Sequence, residues 1–443
     1  MPIEICTVGG YFEVGRNCTA VKVDDEVVIF DMGLHLENYI KLTEDEDVIN
    51  ISSKELMRHG AVPNIKAIDA WHDKVIAIVP THAHLDHIGA IPYLAHFFKS
   101  KIICTPFAGA VIRSILKDDN INLKNEIQTM NPGSSMKLSK NLTLEFVNVT
   151  HSTPQSIIAV LHTPYGIVIY ANDFKFDLHP LMGKRPDFER LQELGKKGIL
   201  ALICESTYAS EAIKMPSELI AQEMLKDVLL GTDTKGKAVI VTTFSSHIAR
   251  LKSIVECGKK MKRKVVFLGR SLYKYVTAAE SIGLVNFSKE AKIVRFSSKV
   301  KKELKKINAE GKDKYLIVMT GHQGEPKSCL AKLARREYDF VLGAGDYIVF
   351  SCKVIPTPTN LQNREVLERE IRQYGARIFK DIHISGHAGR EDLRDMINMT
   401  KPLHILPAHG DSQMKHSLAE LAYNMGYSRK NVHLLNEGDR ISL

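Results

Sequence analysis

The sequence predicts an α/β protein of two or three domains, on three observations. Short apolar runs alternate with turn signals over the first two hundred residues. From Glu205 to about Asn360 strands and helices alternate regularly, as in a parallel sheet. The length, 443 residues, exceeds what one hydrophobic core usually serves, at roughly 100–200 residues per domain.

Val27-Val28-Ile29-Phe30 reads as a buried strand closed by Asp31-Met32-Gly33, and Val75 to Val79 as another closed by Pro80. Ile102 to Cys104, Leu142 to Val149, Ile157 to Thr163, Ile167 to Tyr170 and Leu200 to Cys204 follow as strands, some separated by helical stretches. In the second region the strands are Ala238 to Val241, Val265 to Leu268, Tyr315 to Met319 and Tyr347 to Phe350. An amphipathic helix then runs from about Asn363 to Tyr374 and stops at Gly375. Two more strands end at His383 and Leu406, and a final helix starts near Ser412. Pro356-Thr357-Pro358-Thr359-Asn360 is the most linker-like stretch, and there is no internal repeat. Gly343-Ala344-Gly345 is not a dinucleotide fingerprint, because no strand–loop–helix with a third glycine accompanies it.

Apolar residues make up 44% and charged residues 25%, which excludes collagen-like, mucin-like and wholly disordered chains. No apolar run approaches the ~20 residues of a membrane-spanning helix. Met1-Pro2-Ile3-Glu4 opens neither a basic nor an apolar leader, so the chain is expected in the cytoplasm, away from membranes. Its seven cysteines are odd in number, widely spaced and without a Cys-x-x-Cys pair, and read as reduced core thiols. Lys and Arg number 60 against 51 Asp and Glu, a net charge of +9. Between Leu251 and Phe340 the balance is 22 against nine, so that stretch alone carries the excess. Such a stretch attracts polyanions, because neutralising phosphates releases condensed counterions; a solvated helical surface is the other reading.

One segment carries chemistry: Thr81-His82-Ala83-His84-Leu85-Asp86-His87. Four potential ligands fall within six residues, directly after a strand. Histidines at i and i+2 on an extended loop converge on one ion, while Asp86 and His87 turn toward a second position as a helix starts near Ile88. Imidazole and carboxylate donors suit Zn²⁺, with Mn²⁺ or Fe²⁺ as alternatives. Small residues and backbone amides at Ser385-Gly386 and Ser245-Ser246, with His247 and His383 nearby, have the makings of an anion nest. A helix N-cap explains Ser245 or Ser246 nearly as well. Arg270 suits bidentate pairing with phosphate, or a surface ion pair.

The His-x-His-x-Asp-His segment resembles the signature of the metallo-β-lactamase superfamily. Asp31 resembles that family's motif 1 aspartate, an orienter of ligands. His151, in Val149-Thr150-His151-Ser152, resembles the third motif, and Asp173, in Tyr170-Ala171-Asn172-Asp173, the metal-bridging fourth. Cys204-Glu205-Ser206-Thr207, Ile384-Ser385-Gly386-His387 and Pro407-Ala408-His409-Gly410 resemble motifs A, B and C of the β-CASP nucleases. Within that branch the chain resembles the ribonuclease J family in a short archaeal form. The supporting segments are Met57 to Pro63, Thr243 to Ser246, Gly269-Arg270-Ser271, Gln323 to Pro326 and His383 to His387. Bacterial members carry a further C-terminal domain, whereas this chain reaches Leu443 shortly after motif C.

The resemblance implies an αββα sandwich with an inserted α/β β-CASP domain: residues 1–207 and 361–443 for the sandwich, 208–360 for the insertion. It implies two Zn²⁺ per chain, Mn²⁺ being possible. His82, His84 and His151 would hold one ion, Asp86, His87 and His409 the other, and Asp173 would bridge them. A hydroxide shared by two cations would attack a phosphodiester. His387 would protonate the leaving oxygen, oriented by Glu205, so that His387, Glu205 and Asp86 form the catalytic set. The segment from His383 to His387 would hold a 5′-monophosphate.

The function that follows is 5′–3′ exoribonuclease activity on single-stranded RNA, in decay or processing, with some endonuclease capacity. A homodimer and membership of an RNA-decay assembly are implied. The alternative is an endonuclease like the cleavage-and-polyadenylation factors of the same branch, which tend to carry Ser-Ala-His at motif B. A thioester or lactam hydrolase has no use for a large basic insertion, and a non-enzymatic RNA-binding module has none for seven filled ligand positions.

Overall fold

The computed structural model describes residues 3–44 and 51–443. The chain forms two compact units, residues 1–215 with 386–443, and residues 216–385. The sequence reading placed the crossings at 207/208 and 360/361. Hydrogen bonds explain the difference. Tyr208 bridges to Gly389, and Arg390 N–H donates to the Glu211 carbonyl, keeping residues 208–215 on the first unit. Helix Pro358–Arg372 and strand Arg377–Phe379 complete the second unit's sheet and core.

The first unit holds two sheets. One runs Arg440–Ser442, Ile3–Gly9, Cys18–Val23, Glu26–Phe30, Val75–Val79, Lys101–Cys104 and Ile127–Thr129 in spatial order. The other runs His404–Ala408, Ile199–Glu205, Gly166–Ala171, Ile157–Thr163, Thr143–Asn148 and Ser135–Lys137. Their facing sides share one apolar core, with Val28, Phe30 and Val79 meeting Phe146, Tyr170 and Leu406. At its centre the Phe30 and Tyr170 rings stack with centroids 5.1 Å apart. The outer face of the second sheet buries Val147, Ile169 and Leu202 under helices Phe188–Lys197, Arg390–Thr400 and Ser412–Asn424. Helix Pro106–Asp118 and the 3₁₀ segment Ile65–Lys74 pack on the first sheet. This is the αββα sandwich the resemblance implied.

The second unit carries six parallel strands in the order Ala291–Val294, Lys264–Leu268, Tyr315–Met319, Val239–Thr242, Tyr347–Phe350 and Arg377–Phe379. Strands Val239–Thr242, Tyr315–Met319 and Tyr347–Phe350 are buried on both faces, which accounts for their continuous apolar character. Apolar residues of helices Ser297–Glu310, Cys329–Ala334 and Pro358–Arg372 close one face.

Three local expectations need correction. The linker-like Pro356–Asn360 stretch is a helix start: Thr357 caps by accepting from the Asn360 N–H, and Pro358 occupies the first turn, where its missing N–H costs nothing. The strand expected to end at His383 is Arg377–Phe379, and residues 380–388 run without regular structure. The helix expected near Ile88 begins at Leu85 with His84 as N-cap, which puts Asp86 and His87 inside its first turn. All seven cysteines are free and six are buried. Among the described residues no helix is long and apolar enough to cross a membrane.

Candidate metal centre

Strand ends at one rim of the sandwich deliver the donors. His82 follows strand Val75–Val79, Asp173 follows Gly166–Ala171, His151 follows Thr143–Asn148, and His409 follows His404–Ala408. Asp31, Asp173 and His409 adopt left-handed backbone, with φ of 58°, 61° and 48°. A non-glycine residue pays for that conformation, and it recurs where a side chain must be aimed.

Two donor groups result. In the first, His84 Nδ1 lies 3.1 Å from both His82 Nε2 and His151 Nε2. Asp173 Oδ2 lies 3.4 Å from His82 Nε2 and 3.5 Å from His151 Nε2. Four donors at about 2.0–2.1 Å from a tetrahedral ion would be separated by about 3.3–3.4 Å. In the second group His87 Nε2 lies 3.2 Å from Asp173 Oδ2 and 3.5 Å from Asp86 Oδ2. His409 Nε2 lies 3.3 Å from Asp173 Oδ1 and 4.0 Å from Asp86 Oδ2. Asp173 thus faces both groups with one carboxylate. His409 Nε2 and Asp173 Oδ1 are buried without a hydrogen-bond partner. Buried polar atoms are nearly always satisfied, and a cation placed between them would satisfy these two.

Four of the five imidazoles are held in the neutral state a cation needs; at His87 burial is outweighed by the carboxylates of Asp173, Asp31 and Asp86, which raise it well above its ordinary value. Burial, reinforced by the charge of His87, pushes His82 down to about 3, and burial pushes His84 down to about 4. Burial likewise lowers His151 and His409. Burial opposes ionisation of Asp173, but the surrounding imidazoles of His409 and His87 outweigh it and hold the carboxyl well below its usual range.

The opposite ring nitrogens are occupied as well. His151 Nδ1–H donates to the Gly386 carbonyl at 2.7 Å, and His87 Nδ1–H to Asp31 Oδ2 at 2.7 Å. His82 Nδ1 meets Thr81 Oγ1 at 3.1 Å, and His84 Nε2 lies 3.4 Å from Ser152 Oγ. Such partners fix the ring tautomer and aim. Asp31 also accepts from the Thr81 N–H at 2.7 Å, so one carboxylate ties the ligand loop at two points. Gly33 permits this packing, since a Cβ there would stand 1.6 Å from the Asp86 carbonyl oxygen.

Glu205 is fully buried. Its Oε2 accepts from His387 Nδ1–H at 2.8 Å, and its Oε1 from the Phe174 N–H at 2.8 Å, next to Asp173. The His387 ring sits 5.0 Å from that of His151 and 5.7 Å from that of His409, and its side chain is 22% exposed. Burial opposes the imidazolium, but the carboxylates of Glu205 and Asp173 outweigh it and push His387 up to about 10.

The sequence reading missed Asn17. This residue is 1% exposed and its Oδ1 accepts from His409 Nδ1–H at 2.8 Å. Its Nδ2 donates to the Asp86 carbonyl and to His87 Nε2, both at 3.1 Å. Nothing in the local sequence announces it.

The candidate phosphate-binding residues of the second unit divide. Ser245, Ser246, His247 and Ser385 are buried, His383 is partly exposed, and Arg270 is exposed. The N-cap of helix Ile248–Lys260 is His247, and neither Ser245 nor Ser246 caps it. Ser245 Oγ instead meets Ser271 Oγ at 2.8 Å. Arg270 opens helix Arg270–Ser281 and makes no ion pair among the described residues. Burial and the Arg250 charge push His383 down to about 2, and its Nδ1 is buried without a hydrogen-bond partner. In the first unit, Gly386 serves His151: besides accepting from it, a Cβ there would meet Ser152 N at 2.7 Å.

Three family models match the chain: "Beta-lactamase superfamily domain" over residues 56–183, "Ribonuclease J, beta-CASP domain" over 236–369, and "Zn-dependent metallo-hydrolase RNA specificity domain" over 375–435. Ribonuclease J of Methanocaldococcus jannaschii is 44% identical over 100% of this chain and 99% of its own. Ribonuclease J of Pyrococcus abyssi is 44% identical over 96% and 93%. Ribonuclease J 1 of Streptococcus pyogenes is 31% identical over 100% of this chain and 74% of its own. A crystal structure of a protein of unknown function from Enterococcus faecalis V583 shares the fold, with a TM-score of 0.67 and 16% identity over the full length of both chains.

Proposed function

The chain belongs to the ribonuclease J family, and on that premise we propose that it is a two-cation ribonuclease degrading single-stranded RNA from 5′-monophosphate ends. The observation that carries this reading is the pair of donor groups sharing Asp173. His82, His84 and His151 would hold one cation and Asp86, His87 and His409 the other; Zn²⁺ suits the donors best, with Mn²⁺ as the alternative. Divalent cations bound there supply an activated water and neutralise charge on the phosphodiester. The protein's own part is to aim the donors, keep four of the five imidazoles neutral, and deliver a proton. His387, held by Glu205, gives that proton to the leaving 3′-oxygen. The family supports a cytoplasmic homodimer working within an RNA-decay assembly.

The 5′ end is gripped by the segment from His383 to Gly386, with Ser245, Ser246, His247 and Arg270 contributing donors. A triphosphate is bulkier and more charged, and a hydroxyl end offers nothing to hold. Mononucleotide release should therefore be fastest from 5′-monophosphate RNA, read on end-labelled substrate. Ser385→Leu should reduce that release about ten- to a hundredfold through one or two lost charge-assisted hydrogen bonds. Internal cutting, which needs no end, should fall less. Equal decay of monophosphate and hydroxyl ends would favour the endonuclease reading, against which stands Ser385-Gly386-His387 in place of Ser-Ala-His.

RNA affinity should fall steeply with salt. Lys301, Lys302, Lys305 and Lys306 lie exposed on helix Ser297–Glu310. Replacing all four with Gln should flatten the log–log salt slope by up to about three units, each phosphate contact on single strands being worth roughly 0.7. An unchanged slope would mean that these lysines are solvated surface.

A further inference from the structure

We propose that Asn17 is a positioning residue for the second cation alone, so that its side-chain amide decides whether this protein holds one metal ion or two. The proposal rests on the two-cation reading above and concerns what distinguishes the two donor groups.

The first group is supported piecemeal. His82 leans on Thr81, His84 on Ser152 and His151 on the Gly386 carbonyl, three supports in three places. In the second group His87 is aimed by Asp31, and the other two private ligands, His409 and Asp86, meet at Asn17. Asn17 Oδ1 accepts the Nδ1–H of His409, which fixes the tautomer whose Nε2 lone pair points at Asp173 and Asp86. The same amide's Nδ2 donates to the Asp86 carbonyl and reaches His87 Nε2. The Asn17 backbone N–H donates to the Asp86 carbonyl too, at 3.0 Å. Asn172, beside the bridging Asp173, donates to Asn17 Oδ1 at 3.4 Å. Of the three ligands private to the second group, His409 takes its tautomer from this amide and Asp86 is tied to Asn17 through its backbone carbonyl, whereas His87 is aimed by Asp31; the supports of the first group are all other residues.

Asn17 is itself clamped. Its carbonyl accepts from the Gly33 N–H at 3.0 Å. Gly10, at φ +82°, leaves room for the amide, since a Cβ there would stand 2.5 Å from Asn17 Oδ1. Neighbouring Arg16 grips both carboxylate oxygens of Glu437, at 2.7 and 2.6 Å, and Glu13 at 2.8 Å. The loop is built to hold this side chain in place. An amide that neither ionises nor reaches the cation itself has orientation as its remaining work.

The test is metal binding, independent of turnover. Zn²⁺ is titrated into the metal-free full chain by calorimetry, and zinc retained after dialysis is measured by elemental analysis. The parent should retain about two ions. Asn17→Ala should retain one, with the weaker site's affinity down about 10- to 100-fold and the tighter site's unchanged, matching His409→Ala. Asn17→Asp keeps an acceptor for His409 Nδ1–H and should restore the second ion to within a few-fold. Should Asn17→Ala fail to fold, Asn17→Ser, which is too short to reach His409 Nδ1, takes its place with the same expected stoichiometry. Two ions bound with parental affinity in the Ala or Ser variant would overturn the proposal, as would equal loss of both ions, or an Asp variant no better than Ala. A parent binding fewer than two ions would instead refute the two-cation reading itself.

Discussion

Asp173→Ala should abolish cleavage of every RNA, internal or terminal, while RNA affinity in the absence of turnover stays within a few-fold of the parent. The expectation follows from the position of this carboxylate. Its Oδ2 belongs to the donor set of His82, His84 and His151, and its Oδ1 faces His409. Removing it strips both sets of their shared anion at once. It also withdraws the negative charge that offsets a crowd of buried imidazoles. Metal content should fall from about two ions per chain, and the loss should exceed that of any other single ligand, because each of the others serves one set. RNA binding should survive, since the basic stretch lies far along the chain in a different unit. Rate, metal content and affinity are measured on one preparation. A fully active Asp173→Ala enzyme would sink the dinuclear mechanism, and a variant that loses RNA binding in step with activity would show a folding defect instead.

Four donors of this site were legible in the sequence because they fall in one short segment, whereas His151, Asp173 and His409 were reached only through the family resemblance. The four lie in one run of six residues, and Asp31, His151, Asp173 and His409 each close or follow a strand. Asn17 was not legible. It stands 392 residues from His409, and an asparagine in a loop is ordinarily just a turn residue. Its role exists only once the fold has brought strands Ile3–Gly9 and His404–Ala408 to the same rim. Strands Ile3–Gly9 and Cys18–Val23 escaped for a related reason. Glu4 and Lys22 interrupt their apolar runs, yet the two face each other across the ladder and pair, so the charges cost the strands little. The resemblance puts the insertion at about Tyr208 to Asn360, but backbone pairing at Tyr208–Gly389 and the helix after Thr357 decide the unit boundaries. A proline-rich stretch looks like a linker until a threonine within it is seen to cap a helix that starts at the next proline.

His387→Ala should slow RNA hydrolysis by about 10²- to 10⁴-fold, the usual contribution of a positioned proton donor, with metal content unchanged. His387 sits between the rings of His151 and His409 without belonging to either one's donor set, and its Nδ1–H is committed to Glu205. The proton it can give is the one on Nε2. A group whose pKa is raised to about 10 is protonated throughout the neutral range, as a general acid must be before the reaction. Asp173 contributes to that shift, but its charge is shared with any bound cations, whereas Glu205 lies outside both sets of private ligands. Glu205→Gln should therefore lower the pKa of His387, and activity should begin to fall at lower pH than in the parent as the acid loses its proton. A merely structural histidine makes two different predictions, and both are measurable. Its loss would slow all substrates alike, and the pH profile would keep its shape. A proton donor matters only when the leaving group needs a proton. Hydrolysis of bis(p-nitrophenyl) phosphate, whose leaving group departs as a stable anion, should be far less affected by His387→Ala than hydrolysis of RNA. Equal loss on both substrates, or an alkaline limb unmoved by Glu205→Gln, would assign the proton to another donor and leave His387 as packing over the metal ligands.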